Sequence, residues 1–340
     1  TKNIKEMCIE ANYTLSDDVK NKIINCVGEA NIKLSEDPLR ILRCIRFACK
    51  LNFTINEDVT NSIKKYTYKL KSLSNKRVKK EINAILKLEN GMDYIKKFNL
   101  EELNELAHDV REAIINKVSK AGGHIGPNLG MVETTIALHY VFSSPIDKFV
   151  FDVSHQCYPH KILTGRKDAY LYDDKFHDVT GYTNPKESAH DIFKVGHTST
   201  SISLSLGLAI GRDRQNEKYN VIAIIGDGAL SGGEALEGLD TAGEYKNNFI
   251  IVLNDNEQSI AENHGGIYKN LKELRESNGT CQNNIFTSFG LDYRYLDDGH
   301  DIEKLISLFE SVKDINHPIV LHIHTIKGKG LKYAEENRES

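Results

Sequence analysis

The sequence predicts an α/β fold, with a mainly parallel sheet flanked by helices and a small all-α segment ahead of it. Three observations carry that expectation. Val221-Ile222-Ala223-Ile224-Ile225 and Phe249-Ile250-Ile251-Val252-Leu253 are continuous apolar runs of strand length, the signature of strands buried on both faces. A helix-like stretch over about 231–245 separates them, so the three form one crossover unit with parallel strands. The charge is also divided. Residues 1–90 hold 18 basic and 11 acidic side chains and the remainder 26 and 37, so a segment of +7 precedes one of −11 within a net −4. Two units with different partners, 1–90 and 91–340, are expected.

Asp227 closes the first apolar run within Gly226-Asp227-Gly228, and Asn256 follows the second within Leu253-Asn254-Asp255-Asn256, twenty-nine residues after Asp227. Parallel pairing places both at the carboxyl ends of neighbouring strands, where open α/β sheets bind ligands. Gly228 lets backbone approach a ligand. One carboxylate and one amide oxygen are hard donors suited to Mg²⁺, which retains phosphate oxygens in its shell. The helix start beside them attracts anions. Gly-Asp-Gly by itself is an ordinary strand-to-helix turn; the spacing to Asn256 points to a magnesium-diphosphate anchor.

Other motifs surround this pair. Gly122-Gly123-His124-Ile125-Gly126 reads as a helix C-cap that exposes an imidazole. An apolar helix over 131–142 follows. Phe149-Val150-Phe151-Asp152-Val153 is a short buried strand with His155 at its carboxyl end. Gly196-His197-Thr198-Ser199-Thr200-Ser201 opens a helix over 202–210, and hydroxyls with free N–H groups at a helix start bind anions or simply cap it. His322 and His324 share one face of a strand over 319–325; they are read as packed against the domain rather than as metal ligands.

Taken together these motifs, from about 100 to 336, resemble the amino-terminal, diphosphate-binding half of 1-deoxy-D-xylulose-5-phosphate synthase. The resemblance implies a transketolase-like thiamine-diphosphate-binding fold with thiamine diphosphate and Mg²⁺ as cofactors. It implies His124 as a catalytic proton-transfer residue. It assigns cofactor contacts to His155, Gly196, His197, Thr198, Gly228, Ala229 and Asn256, and the metal to Asp227, Asn256 and Gln258, the last through its backbone carbonyl. The implied reaction is decarboxylating carbon–carbon bond formation between pyruvate and glyceraldehyde 3-phosphate, at the entrance to isoprenoid and thiamine biosynthesis. The sequence departs from the family pattern at Ser154, usually Gly, at Leu331, usually Tyr, and at Thr183-Asn184-Pro185, where a Pro-Lys-Arg stretch is common. The family's activating Glu and phosphate-binding Arg residues belong to a second α/β domain. The chain is therefore expected to bind cofactor weakly and to turn over little without a pyrimidine-binding domain. The implied assembly is a homodimer, or a complex with a separate chain carrying that domain. The alternatives are a transketolase-like subunit with another substrate, an RNA-binding protein or tRNA nucleotidyltransferase fragment led by the basic first segment, and a partner that offers only the fold.

Residues 1–90 read as helical throughout. Leu39, Leu42, Ile45 and Ile41, Cys44, Ala48 form an apolar face, and Asp37-Pro38 is a natural helix start. Further helices are expected over 56–68 and 76–86. Glu36-Asp37-Pro38-Leu39-Arg40, with Ser74-Asn75-Lys76-Arg77 and Glu81, resembles the middle of tRNA nucleotidyltransferases. That resemblance implies Asp37 and Arg40 as a base-recognising template and a residual tRNA contact. No paired Asp residues follow a Gly-Ser segment within 1–35, so nucleotide transfer is not expected. The alternative is a basic stub with solvated Arg residues. The junction is placed near Asn90-Gly91, and Met92 is a candidate start for the second unit.

The six Cys residues (8, 26, 44, 49, 157, 281) show no C-x-x-C spacing and fit reduced thiols. No apolar stretch reaches the roughly 18–20 residues of a membrane span, and no secretory signal is recognisable. A cytoplasmic protein with no membrane partner is expected.

Overall fold

The computed structural model describes residues 17–51, 53–73, 77–78, 81, 95–258, 263–313 and 315–336. Two compact units divide the chain, Thr1–Tyr94 and Ile95–Ser340. The expected junction at Asn90-Gly91, Met92, the segment 74–76 and most of the expected helix over 76–86 lie outside the described residues.

The first unit contains helices α1 (Ala30–Glu36), α2 (Leu39–Leu51) and α3 (Glu57–Tyr66). Leu34, Ile41 and Val59 are buried together at their meeting point. The apolar face read from α2 is the buried one, with Leu39, Ile41, Leu42 and Ala48 at 4 % exposure or less. The Asp37 carboxylate accepts the Leu39 N–H at 3.3 Å, and Asn56 caps α3 through the Asp58 N–H at 2.8 Å. The expectation of helix throughout fails in two places. Strands β1 (Ile23–Ile24) and β2 (Thr54–Ile55) pair in parallel, each a two-residue element of mainly β-branched side chains at the start of a segment that a helical period cannot resolve. Beyond Tyr66 the chain tightens into a 3₁₀ turn over Thr67–Ser72 rather than continuing α-helical to residue 68.

The second unit is built on a five-stranded, wholly parallel sheet: β3 (Lys148–Phe151), β4 (Val221–Gly226), β5 (Phe249–Asp255), β6 (Asp292–Leu296) and β7 (Pro318–His324). Their order across the sheet is β3-β4-β5-β7-β6. All seven β5 residues are buried, which is why that strand reads as an unbroken apolar run. β6 forms an edge, carries Asp292 and Arg294, and is half exposed; its polar composition hid it from the apolar-run criterion. The register sets Gly226 opposite Asn254, so Asp227 and Asp255 leave adjacent strands at the same level.

Helix α4 (Leu100–Ala121) opens with a reciprocal capping box between Asn99 and Glu102 and ends at Gly122. Gly123 follows at φ 137°, and a Cβ there would stand 2.9 Å from the Tyr158 hydroxyl. α5 (Ile125–Gly130) and α6 (Val132–Val141) come next; α6 is buried on nearly every side. α7 (Ser201–Arg214) follows the loop after β3. The helix expected over 231–245 is α9 (Gly233–Gly243), and a short helix that the sequence reading did not separate, α8 (Asp227–Leu230), precedes it across Ser231-Gly232. α10 (Gly266–Glu276) and α11 (Ile302–Glu310) complete the layers. Ile202, Leu206, Ala223, Leu239, Ile251 and Leu253 belong to one core on the α7–α9 side. No helix among the described residues is long and apolar enough to cross a membrane.

Truncating this core should be expensive. Ile251→Ala deletes a side chain that is 1 % exposed and is expected to lower unfolding free energy by about 2–5 kcal/mol, measured by urea denaturation with an unchanged m-value.

A second prediction concerns pH. His139, His160 and His190 cluster in the unit, with His139 Nε2 2.9 Å from His160 Nδ1 and His190 Nδ1 2.9 Å from the Ser144 hydroxyl. Burial holds all three below the ordinary histidine value, His190 at about 4; neighbouring histidine charge and Arg166 add to this at His139 and His190, while Asp191 opposes it at His160 and His190 without outweighing it. The unfolded chain titrates these groups near 6.5. Between that value and about 4 it binds more protons than the folded chain, so stability rises with pH there. The thermal midpoint is expected to fall steadily as pH drops from 6.5 towards 4. A flat profile across that window would contradict the neutral cluster.

Candidate functional site

The carboxyl ends of four strands converge on a cavity of about 510 Å³. β3 contributes Asp152, Val153 and His155; β4 contributes Asp227, Gly228 and Ala229; β5 contributes Asn254, Asn256 and Gln258; Lys327 follows β7. The Gly-Gly turn after α4 brings His124 to the same wall, and the loop before α7 adds Thr198. Eight of the residues expected from sequence therefore share one cavity: His124, His155, Thr198, Asp227, Gly228, Ala229, Asn256 and Gln258. Gly196 and His197 do not line it. The His197 ring is exposed and lies 3.0 Å from its neighbour's carbonyl, that of Thr198. The inward position of that loop falls instead to Thr198, because the two N–H groups after it are committed elsewhere. The Asp152 carboxylate accepts Ser199 N–H at 2.8 Å and Ser201 N–H at 2.9 Å, fixing the start of α7 to the end of β3.

Asp227 is 2 % exposed. Its carboxylate accepts the Gly228 N–H at 2.8 Å and the Asn263 side-chain amide at 3.0 Å, both neutral donors. Burial, and then the charge of Asp255, push its pKa well above the usual carboxylate range. Burial acts on Asp255 in the same sense but is outweighed there. The His322 hydrogen bond at 2.8 Å and the Arg275 guanidinium hold it down to about 2. One carboxylate is thus neutralised by its own protein and the other is not. A buried carboxyl with a raised pKa is a place where a cation replaces a proton.

The remaining polar groups fit an oxygen-rich ligand. The Gln258 side-chain oxygen, the Gln156 amide nitrogen and the Nδ1 atoms of His124 and His155 are buried without hydrogen-bond partners. Burial lowers the pKa of His124; burial, then the charges of His124 and Lys327, lower that of His155 to about 4. The two rings meet edge-to-face at 5.4 Å and are largely neutral near pH 7, so each ring retains both a donor and an acceptor nitrogen. Burial depresses Lys327 while Asp227 opposes that shift. Among the described residues no group of three or more His, Cys, Asp and Glu is arranged to hold a metal by itself. A cation at Asp227 would therefore draw on the Asn256 amide, backbone carbonyl and ligand oxygens, a donor set suited to Mg²⁺ bound with a diphosphate.

Sequence reading missed Asp152, Asn254 and Lys327. A signal for Asp152 existed, since it ends an apolar strand as Asp227 does. His322 and His324 do not converge on a metal. His322 is fully buried between Asp255 and the Tyr293 hydroxyl, at 2.7 Å from the latter, and His324 faces Glu257 at 3.2 Å. In the first unit Arg43 and Arg46 both pair with the buried Glu81, at 3.3 and 2.7 Å, while the Arg43 side chain stays exposed and that of Arg46 is partly buried. Asp37 and Arg40 face each other at 3.8 Å.

Comparison with known proteins gives the family and the fold. The family model described as 1-deoxy-D-xylulose-5-phosphate synthase matches residues 86–282 and 275–325. A 1-deoxy-D-xylulose-5-phosphate synthase of Caldanaerobacter subterraneus subsp. tengcongensis is 43% identical over 278 residues, covering 71% of this chain and 45% of that protein. One of Listeria monocytogenes is 47% identical over 248 residues, covering 71% and 41%. The chain thus spans less than half the length of these curated relatives. Among solved structures, transketolase from Campylobacter jejuni superposes with TM-score 0.57 at 22% identity over 68% of this chain and 39% of that one, a likeness of fold. The fold, the matched span and the identity to these relatives place the chain in the 1-deoxy-D-xylulose-5-phosphate synthase family.

Proposed function

We propose that the cavity binds thiamine diphosphate through Mg²⁺, and that the protein serves a decarboxylating transfer from pyruvate to glyceraldehyde 3-phosphate in the cytoplasm. The observation that carries this reading is the buried Asp227 carboxyl, raised in pKa by burial and by Asp255 and accepting from the neutral Gly228 N–H and Asn263 amide, beside Asn256 at the end of the neighbouring strand.

In this reading Asp227, the Asn256 side chain and the Gln258 carbonyl hold the cation. Gly228 and Ala229 present backbone to the diphosphate and Lys327 offsets its charge. Bound thiamine diphosphate supplies the carbon nucleophile that the reaction needs. His124 and His155, neutral and with unpartnered Nδ1 atoms, hold or relay a proton at those atoms. Gly196 and His197 belong to the rim and contact the cofactor only if that loop turns inward. The resemblance implies an activating Glu in the part of the relatives beyond the matched span, so a pyrimidine-binding domain completes the site.

A different acceptor substrate is the second reading. Its support is Tyr182, whose ring stands edge-on to His124 at 5.9 Å, next to the departure from the family pattern at Thr183-Asn184-Pro185.

Calorimetric titration of the chain with thiamine diphosphate and Mg²⁺ tests the site. Asp227→Ala is expected to weaken binding about 100-fold or more, near 2.7 kcal/mol; equal affinity in both proteins rejects the assignment. The ligand-free protein should respond in the opposite direction. Asp227→Asn removes a buried ionisable carboxyl and is expected to raise the thermal midpoint without ligand while still abolishing Mg²⁺-dependent binding.

Turnover gives a separate check. The 340-residue chain alone is expected to release negligible carbon dioxide from pyruvate, and addition of a family pyrimidine-binding domain to restore release. Cofactor binding with no activity in either case would favour a non-catalytic role.

A further inference from the structure

The turn after β3 is strained. Val153 and Ser154 both have left-handed backbone, at φ 55° and 67°. That conformation is unfavourable for residues with a Cβ and worst for a β-branched one, so surrounding contacts must hold it in place. Val153 lines the cavity and so does His155. Ser154, between them, is fully buried and turned the other way. Its hydroxyl accepts the Thr183 N–H at 3.0 Å and donates to the Val195 carbonyl at 3.0 Å.

Those two atoms stand near the ends of one surface segment, 180–195. The segment is otherwise fastened by charge to the helical stretch after His155. Glu187 accepts the Thr180 N–H at 2.8 Å and the Lys161 ammonium at 2.5 Å. Asp191 accepts the Asn184 N–H at 2.7 Å and both terminal nitrogens of Arg166, at 2.6 and 2.8 Å. The segment therefore moves as one piece with that stretch. Ser154 is its tie to the turn that faces the ligand. At its tip the segment carries Tyr182 against His124, and the Tyr158 hydroxyl, which accepts the His124 N–H at 3.3 Å, lies beside Gly181.

We propose that Ser154 is a positioning residue that couples the cofactor-facing turn to the 180–195 segment, so that a ligand held at Val153 and His155 is registered at Tyr182. The proposal rests on the cofactor reading above and extends it to the substrate side of the site. On this proposal the ligand favours the arrangement in which the hydroxyl holds both groups.

Hydrogen exchange of the full chain, with and without saturating thiamine diphosphate and Mg²⁺, reads this directly. In the unsubstituted protein the ligands are expected to slow exchange of the Thr183 amide and its neighbours over 180–195 by about tenfold or more. Ser154→Gly removes the hydroxyl but accepts the left-handed backbone without strain. It should keep its thermal midpoint and bind the ligands within about fivefold of the unsubstituted affinity, yet lose the ligand-dependent slowing. Ser154→Ala should lose it as well, at a lower midpoint because the strain remains. A merely structural serine would alter stability in both variants and leave the ligand response intact. Ligand-dependent slowing in Ser154→Gly equal to the unsubstituted protein overturns the coupling, as does tight binding that never reaches the segment in the unsubstituted protein; both leave the cofactor site standing. Absence of binding in the unsubstituted protein overturns the cofactor reading and this proposal together.

Discussion

Two carboxylates end neighbouring parallel strands at one level, and the rest of the site is arranged around the difference between them. Asp255 is tied down by His322 and Arg275 and stays charged. Asp227, one strand away, is buried and accepts from the neutral Gly228 N–H and Asn263 amide. Like charges this close in a poorly solvated region cannot both remain ionised without compensation. The fold compensates one internally and leaves the other to whatever enters the cavity. That asymmetry follows from a parallel register, which brings Gly226 opposite Asn254 and so projects both Asp side chains from the same edge.

The same edge explains why so many loops meet there. In a parallel sheet every carboxyl end points one way, and every connection begins on that side. Asp152 at the end of β3 holds the start of α7 through two N–H groups. Thr325, after β7, donates its hydroxyl to Asn254 at 2.6 Å. Arg111 donates to the Lys329 carbonyl at 2.9 Å and pairs with the buried Glu133, which anchors the turn that carries Lys327. Asp152, Asn254 and Glu133 are thus engaged by groups from other elements, whereas side-chain atoms of His124, His155, Gln156 and Gln258 at the same edge are left without partners, so the wall is braced behind and open to a ligand in front.

Much of this was legible in the sequence, for reasons that differ by element. β4 and β5 were readable because burial on both faces leaves no polar position to confuse the pattern. Asp227 and Asn256 were readable because strand ends are where the pattern breaks. β6 was not, since an edge strand alternates and admits charge. The two-residue strands β1 and β2 fall below any period. His197 was assigned inward with the rest of its motif, but the commitment of Ser199 and Ser201 to Asp152 turns the loop so that Thr198 faces the cavity. That commitment joins residues 152 and 199, and no local pattern records it. The pairing of Arg43 and Arg46 with Glu81 is equally nonlocal, and it ties two of a row of basic residues to one buried carboxylate.

Function and stability oppose each other at this edge. A buried carboxyl with a raised pKa, two unpartnered histidine nitrogens and the left-handed backbone of Val153, Ser154, Ser199 and Glu257 each cost folding free energy, and none serves the core. The core can bear it because β4, β5 and α6 are buried almost completely and provide the margin against which a few kcal/mol at the site are small. Strain and unmet polarity gathered at one end of a well-packed sheet are what a preorganised binding site requires: the groups wait in place for a ligand that supplies the missing charge and hydrogen bonds, and ligand affinity draws on the free energy that folding left unrecovered there.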